Sequence, residues 1–87
     1  MNARIKKYVK ERNEMLKKCD VAEFRKFVNA HKEHYDAEYL HRFNSATDAA
    51  LEVALHKMIV QVPKLPKDLR DKSALWLITH GYDLRIN

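Results

Sequence analysis

Glycine and proline are nearly absent from this chain of 87 residues, which contains one Gly and two Pro. The single Gly excludes fingerprints built on glycine-rich phosphate loops, because backbone amides approach a phosphate closely only where no Cβ intervenes. With 46% apolar and 33% charged residues, the composition is that of a globular protein, and the length allows one core. We therefore predict a single all-α domain over residues 1–87, a compact bundle of four or five short helices.

The positive charge of the chain is concentrated at its start. The formal net charge is +5; residues 1–18 hold seven basic and two acidic side chains, whereas residues 19–87 hold ten of each. The first segment has no Gly or Pro and is rich in helix-forming residues, which predicts a helix over residues 3–18. At about 100° per residue this helix is amphipathic, with its apolar side chains on one side. These are Ile5, Tyr8, Val9, Met15, Leu16 and Cys19.

Five lysines occupy the opposite side of the predicted helix, and we call them the lysine surface. They are Lys6, Lys7, Lys10, Lys17 and Lys18. Such a face can be the solvated exterior of a packed helix, or it can bind an anionic partner. We predict that it docks an acidic protein surface; the alternative is sequence-independent binding of nucleic acid, which depends strongly on salt. No membrane binding is predicted, because the apolar side lacks Trp and Phe and is needed for the core.

Polar residues near the end of the first helix have structural roles in this prediction. Arg12 projects from the middle of the apolar side, so its stem is expected along the core and its guanidinium on a carboxylate or an aromatic ring. Asp20 and Glu23 have the D-x-x-E spacing of a capping box. A second helix is therefore predicted to begin at Val21.

The region after the second helix start is less well defined by the sequence. Apolar residues continue at helical spacing as far as Phe43, a pattern that fits one long helix or two. We expect a break between Asn29 and Asp36, because one long helix would leave so small a domain with poor ways to close. A turn at Asn44 and Ser45 is predicted to precede the next helix.

Proline and glycine delimit the last two helices. A helix rich in small and bulky apolar residues is predicted to end at Pro63 and to form the centre of the bundle. The last helix is predicted to run from Pro66 or Lys67 to His80, and Pro66 is suited to a first helical turn. Gly81 stands where a left-handed residue is wanted, with Tyr82 placed to pack back on the helix.

Histidine and glutamate at helical spacing form a pattern suggestive of metal binding. On a continuous helix His34, Glu38 and His41 would share a face, and the spacing of the last two is found in di-iron bundles. Those bundles need a second such motif and two further glutamates, a set that the chain does not complete. No metal or other cofactor is therefore predicted, and these three residues are the candidates should a metal bind.

The sequence does not pair a nucleophile with a base. Cys19 falls on the apolar side at a helix end, where a small buried residue is expected, and Ser73 lies within the last helix without an evident base. Trp76 could form a partner-binding patch with His80 and Tyr82, but large aromatic residues dominate small cores, so core packing is expected. We predict a protein without enzymatic activity.

The single cysteine excludes an internal disulfide, which fits a reducing compartment. No uninterrupted apolar segment follows the basic N-terminus, and no stretch approaches the length of a membrane span. A cytoplasmic protein is expected.

The second half of the chain carries residue groups that resemble a known set of proteins. The groups are Leu55-His56-Lys57, Leu65-Pro66, Leu69-Arg70, Lys72-Ser73, Trp76-Leu77 and His80-Gly81. Through them, residues 53–87 resemble small uncharacterised helical proteins carried by phages and conjugative elements of Gram-positive bacteria. The resemblance implies an accessory protein of a mobile element that acts by binding, and it assigns no functional residue.

Overall fold

The computed structural model describes residues 3–34 and 48–85 of the chain. Four helices of ten or more residues lie in these ranges: α1 (Ala3–Lys18), α2 (Val21–Ala30), α3 (Asp48–Gln61) and α4 (Lys67–Thr79). Residues 32–34 are also helical, and none of the described residues is in a strand. The prediction of an all-α bundle with a basic N-terminal helix is confirmed. No helix within the described ranges has both the length and the apolar character needed to cross a membrane.

Helix α3 lies at the centre of the bundle and contacts the other three helices. Ala54 on α3 is completely buried, and its small side chain lets neighbouring helices approach closely. The bulky core residues of α3 are also buried; they are Leu51, Leu55, Met58 and Ile59. The rest of the bundle adds Leu16, Phe24, Val28, Leu65 and Leu77. The Cα radius of gyration of 12.3 Å agrees with the roughly 12 Å expected for a compact chain of this length.

Asp20 caps the start of α2, at the residue that the sequence predicted. The Asp20 Oδ1 atom accepts a hydrogen bond of 3.2 Å from the backbone N–H of Glu23, and α2 begins at Val21. Cys19, between the helices, has a left-handed φ of 48° and is exposed, so the expectation of a buried thiol is wrong. The reason is that α1 ends at Lys18, so helical spacing no longer places the next side chain against the core.

The end of α2 confirms the expected break in the second helical region. Its last residue is Ala30, and the backbone N–H of the C-cap His31 donates to the carbonyls of Phe27 and Val28. The break falls inside the predicted interval. The predicted turn at Asn44 and Ser45 lies outside the described residues.

Both prolines lie between α3 and α4, as predicted. Helix α3 ends at Gln61, two residues before Pro63. Pro66 is the N-cap of α4. A backbone N–H at this position has no acceptor within the helix, so a proline there costs no hydrogen bond.

Gly81 ends α4 in the left-handed conformation that the sequence predicted, with a φ of 80°. Its N–H donates to the Ile78 carbonyl at 3.1 Å, and the N–H of Tyr82 donates to the Leu77 carbonyl at 2.9 Å. These two bonds define a Schellman motif and satisfy carbonyls that a helix end leaves without partners.

The Asp20 cap can be tested by substitution. Asp20→Ala should lower the free energy of unfolding by about 1 kcal/mol, because the Glu23 amide loses its acceptor. Asp20→Asn retains a side-chain oxygen at the cap and should lose much less. Urea unfolding followed by circular dichroism measures both variants, and equal losses would contradict the role of the cap.

Candidate docking surface

The lysine surface lies on the outer side of α1. Helix α1 buries Tyr8, Met15 and Leu16, and it packs on α2 and α3. All five lysines of the surface are exposed. Ile5, near the start of the helix, is also 41% exposed, so the core covers the apolar side only from Tyr8 onward. The side that packs and the side that carries charge are therefore separated, as the helical spacing predicted.

Two lysines of the surface pair with glutamates of the same helix. The Lys7 Nζ atom lies 4.0 Å from Glu11 Oε1, and Lys17 Nζ lies 3.1 Å from Glu14 Oε1. Both pairs are exposed, so each contributes little to stability and is screened by salt. Within the described part of the chain, the other three have no carboxylate inside ion-pair distance: Lys6, Lys10 and Lys18.

Three lysines of the surface line a groove between α1 and the connector from α3 to α4. Lys6, Lys10 and Lys17 fall within an arc of about 40° around the helix axis, since each residue advances by about 100°. Lys64, on the connector, lines the same groove. Four exposed lysines from two separate parts of the chain therefore line one groove, which we call the lysine groove.

The lysine groove also has an apolar wall. Val9 on α1 is half-buried and Leu65 on the connector is 2% exposed, and both line the groove, whose volume is about 550 Å³. The Leu65 carbonyl accepts a hydrogen bond of 3.1 Å from Arg70 Nε, which ties the connector to α4. Asn13 and Glu14 complete the lining, so one carboxylate stands among the four lysines.

A second hollow, between α1 and α2, has a different charge balance. Its volume is about 640 Å³, and apolar atoms of Met15 and Phe27 line it. The basic residues in its lining are Lys7, Lys10, Lys18, Lys26 and His31, and the acidic ones are Glu11, Glu14 and Glu23. The carboxylates offset most of the positive charge here. The structure thus divides the lysine surface and leaves the larger excess of positive charge in the lysine groove.

Arg12 has the structural role that the sequence predicted. Its guanidinium carbon lies 6.0 Å from the centre of the Tyr8 ring, and its Nη2 atom donates to Asn13 Oδ1 at 3.2 Å. The cation rests on an aromatic face beside the core, a favourable arrangement for guanidinium.

Only one of the three candidate metal ligands is described. The His34 ring stacks on Tyr8 with ring centres 4.7 Å apart, whereas Glu38 and His41 lie outside the described residues. Nearby, His31 Nε2 lies 3.2 Å from Glu11 Oε2 and joins α2 to α1. Among the described residues, no group of three or more His, Cys, Asp or Glu side chains is arranged to hold a metal ion.

A buried polar pair links α3 to α4. The His56 Nδ1 atom lies 2.9 Å from the Ser73 hydroxyl, and His56 Nε2 lies 4.0 Å from a carboxylate oxygen of Glu52. No local sequence pattern indicated a base beside Ser73, because only the packing of two helices brings together these residues, which are 17 positions apart. Ser73 is 1% exposed, so its hydroxyl is sealed from solvent, and the pair acts as a contact between the helices. Burial lowers the pKa of His56; Glu52 raises it, and His80 lowers it further.

Trp76 belongs to an aromatic stack beside this pair. Its ring lies 4.4 Å from that of His56 and 4.1 Å from that of His80, centre to centre, and 6.2 Å from that of Tyr82. Trp76 is half-buried and Tyr82 is 45% exposed. The stack therefore packs along the α3–α4 contact instead of entering the core fully, and the expectation of core packing for Trp76 holds only in part.

Comparisons with protein-family models, with curated proteins and with solved structures give no match for this chain. The resemblance of residues 53–87 to proteins of phages and conjugative elements therefore remains an expectation from the sequence. The function of the chain is therefore inferred from the charge and the shape of its surface.

The buried histidine predicts a pH-dependent stability. The pKa of His56 is lowered from its usual 6.5, so the unfolded chain binds more protons at mildly acidic pH. The stabilising effect of burying His56 in its neutral form should be fully present above about pH 6.5, the usual pKa of histidine, and should be lost as the pH falls below that value. His56→Gln should flatten this part of the profile. His34→Gln is the matched control, because the His34 ring also stacks on an aromatic ring, that of Tyr8, and His34 is not among the groups that shift the pKa of His56.

Urea unfolding between about pH 8 and pH 5 measures the slope for each variant. The slope is the readout, so a variant that is less stable at every pH still gives an answer. An unchanged slope in His56→Gln would show that other groups carry the acid sensitivity.

Proposed function

We propose that this chain is a non-catalytic binding protein that docks an acidic protein partner through the lysine surface. The observation that carries the proposal is the lysine groove, where four exposed lysines and one glutamate surround an apolar wall. The resemblance of residues 53–87 to proteins of phages and conjugative elements supports a role as an accessory factor of a mobile element.

The charge distribution supports an acidic partner. The whole excess of five positive charges lies in residues 1–18, and the remaining residues are balanced. A concentrated basic face on a neutral body attracts and orients an acidic surface as the two proteins approach. The first and last of the three α1 lysines in the groove are 11 positions apart, or about 16 Å along the helix, which exceeds the screening length of about 8 Å at physiological salt. Several partner carboxylates are therefore needed to neutralise the row.

The lining of the groove favours a protein partner over nucleic acid. Proteins that bind single strands combine a basic groove with aromatic rings on which bases stack, and none of the residues that line the lysine groove is aromatic. Contacts to duplex phosphates would use the lysines but would leave the exposed part of Val9 without an apolar partner. An acidic protein surface that includes an apolar side chain matches both parts of the groove.

The proposal is tested by reversing the charge of the groove. A variant with Lys6, Lys10 and Lys17 changed to Glu should lose at least about tenfold in affinity for the partner, because attraction becomes repulsion. The partner is first captured from a host lysate treated with nuclease, then purified, and its direct binding is measured at two salt concentrations. Wild-type affinity should fall as salt increases.

A matched control carries the same change in net charge elsewhere. Three other exposed lysines that do not line the groove are changed to Glu: Lys32, Lys67 and Lys72. This control should retain most of the affinity, and thermal melting of both variants checks that they fold. Equal losses in the two variants, or a purified partner that binds the groove variant as well as wild type, would refute the proposal. Capture that disappears on nuclease treatment would favour nucleic acid instead.

A further inference from the structure

We infer that the element of the partner that enters the lysine groove is a short amphipathic helix, with carboxylates around one large aliphatic side chain. This inference rests on the proposed function and specifies its ligand. It follows from three features of the groove: a row of lysines along one side of α1, an apolar wall, and the absence of a strand in the described residues.

The row of ammonium groups sets the length and the charge pattern of the occupant. Lys6 and Lys10 are one helical turn apart, and Lys17 follows about two turns later on the same side of α1. A helix lying along α1 presents side chains of one face at the same repeat, so acidic residues spaced by four and seven positions can face the three lysines together. Lys64 lines the groove from the connector and can pair with a carboxylate on the partner's other flank.

The apolar wall calls for an apolar side chain on the occupant. Val9 is only half-buried in the free protein, so part of its surface stays in contact with water beside the lysines. Covering the exposed part of Val9 by one leucine-sized side chain adds affinity that charge alone does not supply. The wall is fixed before binding, because Leu65 is anchored in the core and its carbonyl is bonded to Arg70. Little ordering of the connector is then needed on binding.

The secondary structure around the groove favours a helical occupant. An extended peptide gains its affinity by adding a strand to a sheet edge, and the described part of this chain contains no strand. A helix satisfies its own backbone hydrogen bonds and needs only side-chain contacts, as in other helix-in-groove complexes. Both walls of the groove offer side chains: α1 on one side and the connector on the other.

Three synthetic peptides of equal net charge test the inference. The first is a helix-forming, glutamate-rich peptide with one central Leu, the second has Gln in place of that Leu, and the third carries Pro in the middle of the helix. Fluorescence anisotropy gives the affinity of each for the full chain at about 50 and 200 mM salt. The Leu peptide should bind about tenfold more tightly than the Gln peptide, and the Pro peptide should lose a similar factor.

Substitutions in the groove identify where the peptide binds. Val9→Thr keeps the shape of the side chain but replaces one methyl group by a hydroxyl, so it should remove most of the preference for Leu over Gln. Val60→Thr is the matched control, because Val60 is also half-buried on a helix but does not line the groove, and it should keep the preference. Lys64→Gln should weaken all three peptides by a similar factor. Melting curves verify that each variant is folded.

Several results would overturn the inference. Equal binding of the Leu and Gln peptides would show that charge alone drives docking, and undiminished binding of the Pro peptide would exclude a helix. Failure of all three peptides at low salt, or tighter binding of a duplex DNA or single-stranded RNA oligonucleotide, would also overturn it. The first two results leave the proposed docking of an acidic protein intact, because that proposal is judged by the captured partner and the charge-reversal variant.

Discussion

The burial of α3 is the constraint on which the rest of the bundle depends. Its buried residues extend around more than one side of the helix, so α1, α2 and α4 are all needed to cover it. Helix α1 covers part of α3 with few residues, chiefly Leu16 and Met15, and the rest of its surface faces solvent. The lysine surface is thus a consequence of how the core is closed. A helix that packs through one side only is free to carry charge on the other.

The contact between α3 and α4 positions the second wall of the groove. His56 and Ser73 are both buried, and each supplies the hydrogen-bond partner that the other would lack in an apolar interface. With α4 held in this way, the connector between the helices has a fixed path, and Leu65 is drawn into the core. Lys64, its neighbour, is thereby held beside α1. A polar pair that does not line the lysine groove thus helps to fix one of its walls.

Local signals in the sequence predicted most of the fold, and long-range packing explains what they missed. The cap at Asp20 and the left-handed Gly81 depend on a few neighbouring residues, so their patterns could be read directly. The lysines of α1 follow from helical spacing in the same way. Lys64 joins them across a separation of more than 40 residues, and His56 meets Ser73 only because α3 packs on α4. No local sequence pattern predicts these two long-range contacts.

The charge of α1 departs from the arrangement that stabilises helices. The first turns of α2, α3 and α4 each carry an acidic residue, as the helix dipole favours, whereas the first turn of α1 has none. Lys6 and Lys10 are also like charges one turn apart, which costs an isolated helix about 0.2–0.5 kcal/mol. Departures from local rules are expected where function needs them, and here they coincide with the lysine groove. A partner carboxylate between these lysines would relieve their repulsion, so docking and the stability of α1 should reinforce each other.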